Sequence, residues 1–130
     1  MSTQDHDPGR KVTRKVNGPV TTPNRFVEQT GTANQVQVVG TQNDPVYGVI
    51  ETTTRNDQDY ASITIDGIAW VESGAAVSDG DDVISDNQGR AITDPATGAV
   101  TACVAGKALG AASGAGQVIG VLLGRYKIKR

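Results

Sequence analysis

The chain has few of the residues on which most protein chemistry depends. Its 130 residues include one cysteine, Cys103, and one histidine, His6. A single cysteine excludes an intramolecular disulfide. Cys103 has no imidazole in sequence reach, so it reads as a small hydrophobe and not as a nucleophile. The ligands for a zinc site are missing. Aromatic residues are scarce: one Trp, one Phe and three Tyr. No apolar run approaches the roughly 18 residues of a membrane span, so no membrane partner is expected. The first residues, MSTQDHDPGRKV, lack the apolar core of a signal peptide, so synthesis in a cytoplasm is expected.

What the chain does have is glycine, alanine and short Val/Ile-rich runs. These bury little apolar area per residue, at about 25 cal/mol per Å². A core built this way is lean, and extra burial by self-association is expected. Charge is divided unevenly. Residues 1–30 hold five basic and three acidic residues, a net of +2. Residues 31–124 hold three basic and eleven acidic residues, a net of −8. Residues 125–130 hold four basic residues and no acid, a net of +4. Phosphates would repel such an acidic body, so nucleic acid is not an expected partner. Basic ends suit an acidic protein surface or a neighbour's acidic body.

Residues 1–23 read as a flexible basic N-terminal arm. Arg10, Lys11, Arg14 and Lys15 lie between Pro8-Gly9 and Gly18-Pro19, with too few apolar residues to offset ordering entropy. Removing residues 1–22 is expected to leave the rest folded. The ordered part, residues 24–124, opens with Asn24, Arg25, Phe26 and Val27. Strands are expected at 36–39, 46–50, 61–65, 68–71, 81–85, 90–93, 104–109 and 118–123. Asp66-Gly67, Asp86–Gly89 and 94–98 read as turns, and 110–116 as a loop. The run 118–123 is apolar on both faces, as in a central strand. Residues 125–130 form a basic tail in which Arg125, Lys127 and Lys129 alternate with Tyr126 and Ile128, to pair with a neighbouring subunit or to fray. The pattern predicts an all-β fold, a small β-barrel or β-sandwich of β-tulip-like form, with an extended arm and a basic tail.

Several chemical motifs fail on spacing. Gly106-Lys107 is followed by Ala108, not Ser or Thr, and Ala102 stands where a phosphate loop begins with glycine. A dinucleotide fingerprint from Gly114 needs glycine where Ile119 stands. Asp79, Asp81, Asp82 and Asp86 are interrupted by Val83 and Ile84, unlike a calcium loop, and read as turn acids. No cofactor, metal or catalytic residue is expected. The cadence of residues 71–84 resembles lipoyl and biotinyl carrier domains, but Lys107 lies in the wrong context. A carbohydrate- or protein-binding β-module is the other alternative, although aromatic platforms are few. Trp70 reads as an anchor, in the core or between subunits.

Six segments follow in a recognisable order: Tyr47–Ile50, Ile63–Val71, Gly74–Val77, Ser85–Ile92, Gly106–Leu109 and Val118–Leu123. Their order and spacing resemble the small capsid decoration, or cement, proteins of tailed bacteriophages, over roughly residues 24–124. The resemblance implies a β-domain, often a homotrimer, on the outer capsid surface of a virion. Its partner would be the major capsid protein, and it would stabilise the expanded head without catalysis. On this reading the capsid-binding residues are Arg10, Lys11, Arg14, Lys15, Asn24, Arg25, Phe26 and Val27. The subunit interface is Trp70, Arg125, Tyr126, Lys127 and Ile128.

Overall fold

The structure, a computed structural model, describes residues 10–94 and 102–128, with side chains described as far as residue 124. Ten strands account for the regular structure: β1 Lys11–Val16, β2 Arg25–Gln29, β3 Gln35–Val38, β4 Gly48–Ile50, β5 Tyr60–Thr64, β6 Gly67–Glu72, β7 Asp82–Ser85, β8 Ala91–Thr93, β9 Ala102–Ala108 and β10 Val118–Ile128. The first five close into a barrel in the order β1-β3-β2-β4-β5. The last five form an antiparallel sheet in the order β6-β10-β9-β7-β8. The expected all-β fold is thus realised as a barrel with a sheet packed on it.

The period-2 alternation of a strand explains how the two parts share one short segment. In β2, Phe26 pairs across to Val49 of β4, and both are fully buried in a cluster that includes Ala69, Val71, Val121 and Leu123 of the sheet. The next residue, Val27, points the other way. It packs with Val16, Val36, Ile50 and Ile63 in the barrel's own core. One strand therefore serves two cores.

Backbone bonds seal this seam. The Phe26 N–H donates to the Gly89 carbonyl at 2.7 Å, and the Glu72 N–H donates to the Asn24 carbonyl at 2.9 Å. The Asn24 side-chain amide donates to the Trp70 carbonyl at 3.0 Å. Gly89 has φ +75°, and a Cβ there would stand 2.8 Å from the Phe26 carbonyl oxygen. Only glycine fits so close an approach in that conformation.

Two expectations about the ends are corrected. Residues 11–16 of the expected arm form β1, which pairs antiparallel with β5 from Lys11↔Thr64 to Lys15↔Tyr60 and parallel with β3. Val16 is fully buried in the barrel core and Val12 packs against it. The expected tail continues β10 to Ile128, where Tyr126, Lys127 and Ile128 pair with Val104, Cys103 and Ala102 of the same chain. A register shift between Leu123 and Tyr126 marks where the apolar run ends. The turn expected at 94–98 lies, apart from Asp94, outside the described residues, as do residues 1–9 and 129–130.

Other expectations hold. Asp86–Gly89 connects the paired strands β7 and β8, and β10 lies between β6 and β9. Residues 110–116 carry no strand and are fastened by the Val77–Ala112 bridge. Asp66-Gly67 turns the chain, with Gly67 at φ +76°, but it joins β5 of the barrel to β6 of the sheet and makes no hairpin.

Removing β1 would expose the β5 edge and uncover Ile63, Val36 and Ile50. Deletion of residues 1–22 is therefore expected to abolish cooperative unfolding. Circular dichroism through a urea titration checks this; a cooperative transition like that of the full chain would contradict it.

Candidate functional site

The residues expected to contact a partner fall into three groups. The first is a seam, not a surface. Phe26 and Val27 are fully buried, and Arg25 is nearly so. Arg25 donates from Nη1 to the Gln88 carbonyl at 3.0 Å and from Nη2 to Glu72 Oε1 at 3.1 Å. This ion pair ties the barrel to β6. Asn24 spends both its carbonyl and its side chain on β6. The family resemblance assigns these four positions to a capsid surface. The structure corrects this: the ring is needed where barrel and sheet meet.

The second group is a cationic strip on the barrel. Alternation along β1 divides the four basic residues. Lys11 and Lys15 share a face with Thr13, and on β5 their cross-strand partners are Thr64 and Tyr60. Tyr60 is 68% exposed, and the Lys15 ammonium lies 5.7 Å from its ring centroid. Lys11 is exposed and meets Glu51 at 3.4 Å. Arg10 precedes them, exposed, with its N–H donating to Asp66 Oδ1 at 3.0 Å. Arg14 shares the other face with Val12 and Val16. It is half-buried, and its guanidinium stands 5.8 Å from the Tyr47 ring. The strip thus consists of Arg10, Lys11, Lys15 and Tyr60. Sequence reasoning misses the exposed Tyr60, although its alternation with Ala61 and Ile63 places it outward.

The third group lies on the outer face of the sheet. Trp70 of β6 and Gly120 of β10 are direct cross-strand partners. A Cβ on Gly120 would sit 3.4 Å from Trp70 Cζ3 and 3.7 Å from Leu109 Cβ, so the indole lies over the glycine and reaches toward Leu109. Trp70 is 49% exposed, Leu109 47%, Val118 51% and Leu122 46%. Trp70 therefore lies on the surface and not in the core. Arg125, Tyr126, Lys127 and Ile128 continue β10 beyond this face, as backbone strand.

A groove of about 620 Å³ opens between β2 and the loop before β4, lined by Glu28, Gln29, Asp44, Pro45, Val46, Tyr47 and Ile65. Burial pushes the Glu28 carboxyl above the usual carboxylate range, and the neighbouring Asp44 adds to the rise. The Gln37 amide, donating to Glu28 Oε2 at 2.9 Å, works against it. Of the four acids read as turn residues, Asp81 and Asp86 do serve turns, while Asp82 opens strand β7. Asp81 accepts from the Ser78 N–H and the Thr93 hydroxyl, and Asp86 accepts from the Gln88 and Arg90 N–H groups and pairs with the Arg90 guanidinium at 2.9 Å. Asp82 pairs with Lys107 at 2.7 Å.

The Glu28 shift has a definite sign. A carboxyl whose folded pKa is raised binds its proton more tightly in the folded state, so folding is disfavoured as pH rises through the carboxylate range. Glu28→Gln removes that penalty. Its stability relative to the natural chain is expected to grow between about pH 4 and pH 7. Urea midpoints at the two pH values measure this, and a gap that shrinks toward neutral pH would contradict it.

This geometry has counterparts among known proteins. The model of the family described as phage cement protein matches residues 24–123. No curated protein matches the chain. Among solved structures, the chain is similar to the N base of the head fibre gp8.5 of bacteriophage phi29, with a TM-score of 0.64 and 17% identity. That match covers 93% of this chain and 98% of the other. At this identity the likeness speaks for the fold alone. The family match spans most of the chain, and so the chain belongs to the phage cement protein family, whose members are structural components of the phage capsid and not enzymes.

Proposed function

We infer that this protein binds the outer surface of a phage capsid, through the major capsid protein, and stabilises the expanded head. Family membership over residues 24–123 carries the reading. The surface chemistry supports it. A strip of Arg10, Lys11, Lys15 and an exposed Tyr60 suits an acidic protein surface. Cations steer the encounter, and the aromatic ring adds apolar contact area at small entropic cost. The similar fold of a phage head fibre base is consistent with a role on the phage head.

The mechanism is mass action. A protein that binds the expanded lattice and not its unexpanded precursor stabilises the former by its binding free energy. Self-association into a homotrimer multiplies this effect, because each docked copy raises the effective concentration of the others.

Reversing the strip's charge tests the reading. The double variant Lys11→Glu, Lys15→Glu is expected to fold normally, since neither side chain is buried. It should co-sediment with empty, expanded capsids about ten- to a hundredfold more weakly than the natural chain. Added salt should weaken the natural chain more than the variant. Equal binding by both would remove the strip from the contact, and absence of binding to any cognate capsid would remove the function.

A further inference from the structure

We propose that the outer face of the sheet, built from Trp70, Leu109, Val118 and Leu122, is the surface on which a second copy of this chain docks. The proposal deepens the self-association part of the preceding reading by naming where the copies meet.

The face is constructed, not incidental. Three rows run from β6 to β10, and two of them continue to β9 or the residue after it: Glu72 with Val118, Trp70 with Gly120 and then Leu109, and Ile68 with Leu122 and then Lys107. Gly120 in the middle row leaves room for the indole to lie down on the sheet. A side chain larger than alanine there would lift it. The outcome is a low apolar shelf whose four large side chains each keep about half their surface in water. Single exposed hydrophobes are ordinary, but adjoining ones that include the chain's only Trp mark an interface.

Charge selects the occupant. The body of the chain, residues 31–124, carries a net −8, so two copies repel wherever acidic surfaces meet. This face is different. Of the charges at its margins, Glu72 is held by Arg25 at 3.1 Å, Lys107 by Asp82 at 2.7 Å, and Glu51, which accepts the Trp70 backbone N–H at 2.7 Å, by Lys11 at 3.4 Å. A second acidic chain can close on this face without bringing unpaired like charges together. An acidic capsid surface would instead be drawn to the cationic strip on the barrel. An apolar centre within a neutral margin is the composition of self-association interfaces. The lean Val- and Ala-rich cores supply the reason, because a second copy removes apolar surface from water that one copy leaves exposed.

Trp70 is the only Trp, so its fluorescence reports on this face alone. Sedimentation equilibrium and Trp emission of the full chain, without capsids, test the proposal. The average mass is expected to rise above the 13.5 kDa of one chain with concentration, while emission moves to shorter wavelength as the indole leaves water. The variant Val118→Lys, Leu122→Lys should keep the far-ultraviolet dichroism of the natural chain, remain a single chain and show no shift. Leu109→Gln serves as a second, milder variant with the same expected direction. A natural chain that stays monomeric to about 100 µM would overturn the proposal. So would variants that assemble as well as the natural chain, or a Trp70 shift seen only when capsids are added. A natural chain that assembles but binds no cognate capsid would count against the capsid reading and leave this face standing.

Discussion

The fold depends on a four-residue constraint, Asn24 to Val27, at which a barrel and a sheet are made into one body. Alternation sends Phe26 into the sheet-side core and Val27 into the barrel core, while Asn24 and Arg25 are bound to β6 and to the β7–β8 turn. Burying a Phe contributes about 1.5–3 kcal/mol, and the backbone bonds to Gly89 and from Glu72 satisfy groups that packing would otherwise strand. Arg25 has a cost: its Nε is buried without a partner among the described residues. The ion pair with Glu72 supplies orientation more than net stability, since desolvating a guanidinium offsets much of the attraction. The seam explains why so lean a chain holds together. Neither core alone is large, but the sheet-side core takes Phe26, Val39 and Val49 from the barrel half as its wall.

Joining the two sheets fixes the relation between the two exposed surfaces. The barrel carries the cationic strip of β1 and β5, and the sheet carries the apolar shelf of β6, β9 and β10. Their chemistry differs in a way that suits two kinds of contact. Charge with a flanking aromatic ring acts at a distance and discriminates by sign. A flat apolar shelf acts only on close approach and rewards burial. A structural protein needs no more chemistry than this, provided both surfaces are held rigidly.

Much of this is legible in the residues. The short Val/Ile runs, the Gly/Asp turns and the absence of helical periodicity locate most strands, and the order of six segments points to the family. What local pattern does not reveal is long-range pairing. β1 reads as a charged arm because Lys and Arg outnumber Val in it, yet Val12 and Val16 stand at one-face spacing between Pro8-Gly9 and Gly18-Pro19, which is a bounded strand. Its partner β5 lies some 50 residues away, and no local rule reports that closure. Phe26 reads as a contact residue because nothing in RFVEQ says that two cores will claim opposite faces of it. The tail reads as unattached because its basic residues hide a backbone that simply continues β10. Trp70 is recognisable as an anchor, but its shelf needs the structure, because Leu109, Val118 and Leu122 come together only through the pairing of β10 with its two neighbours.

Native-state hydrogen exchange tests the seam most directly. The amides of Val27 in the barrel and Val71 in the sheet report on the two parts separately. If Asn24–Val27 makes them one cooperative body, both exchange only through global unfolding, with equal protection that falls together when Phe26 is replaced by Ala. Protection that differs between the two, or that falls in the sheet while holding in the barrel, would mean that barrel and sheet open independently.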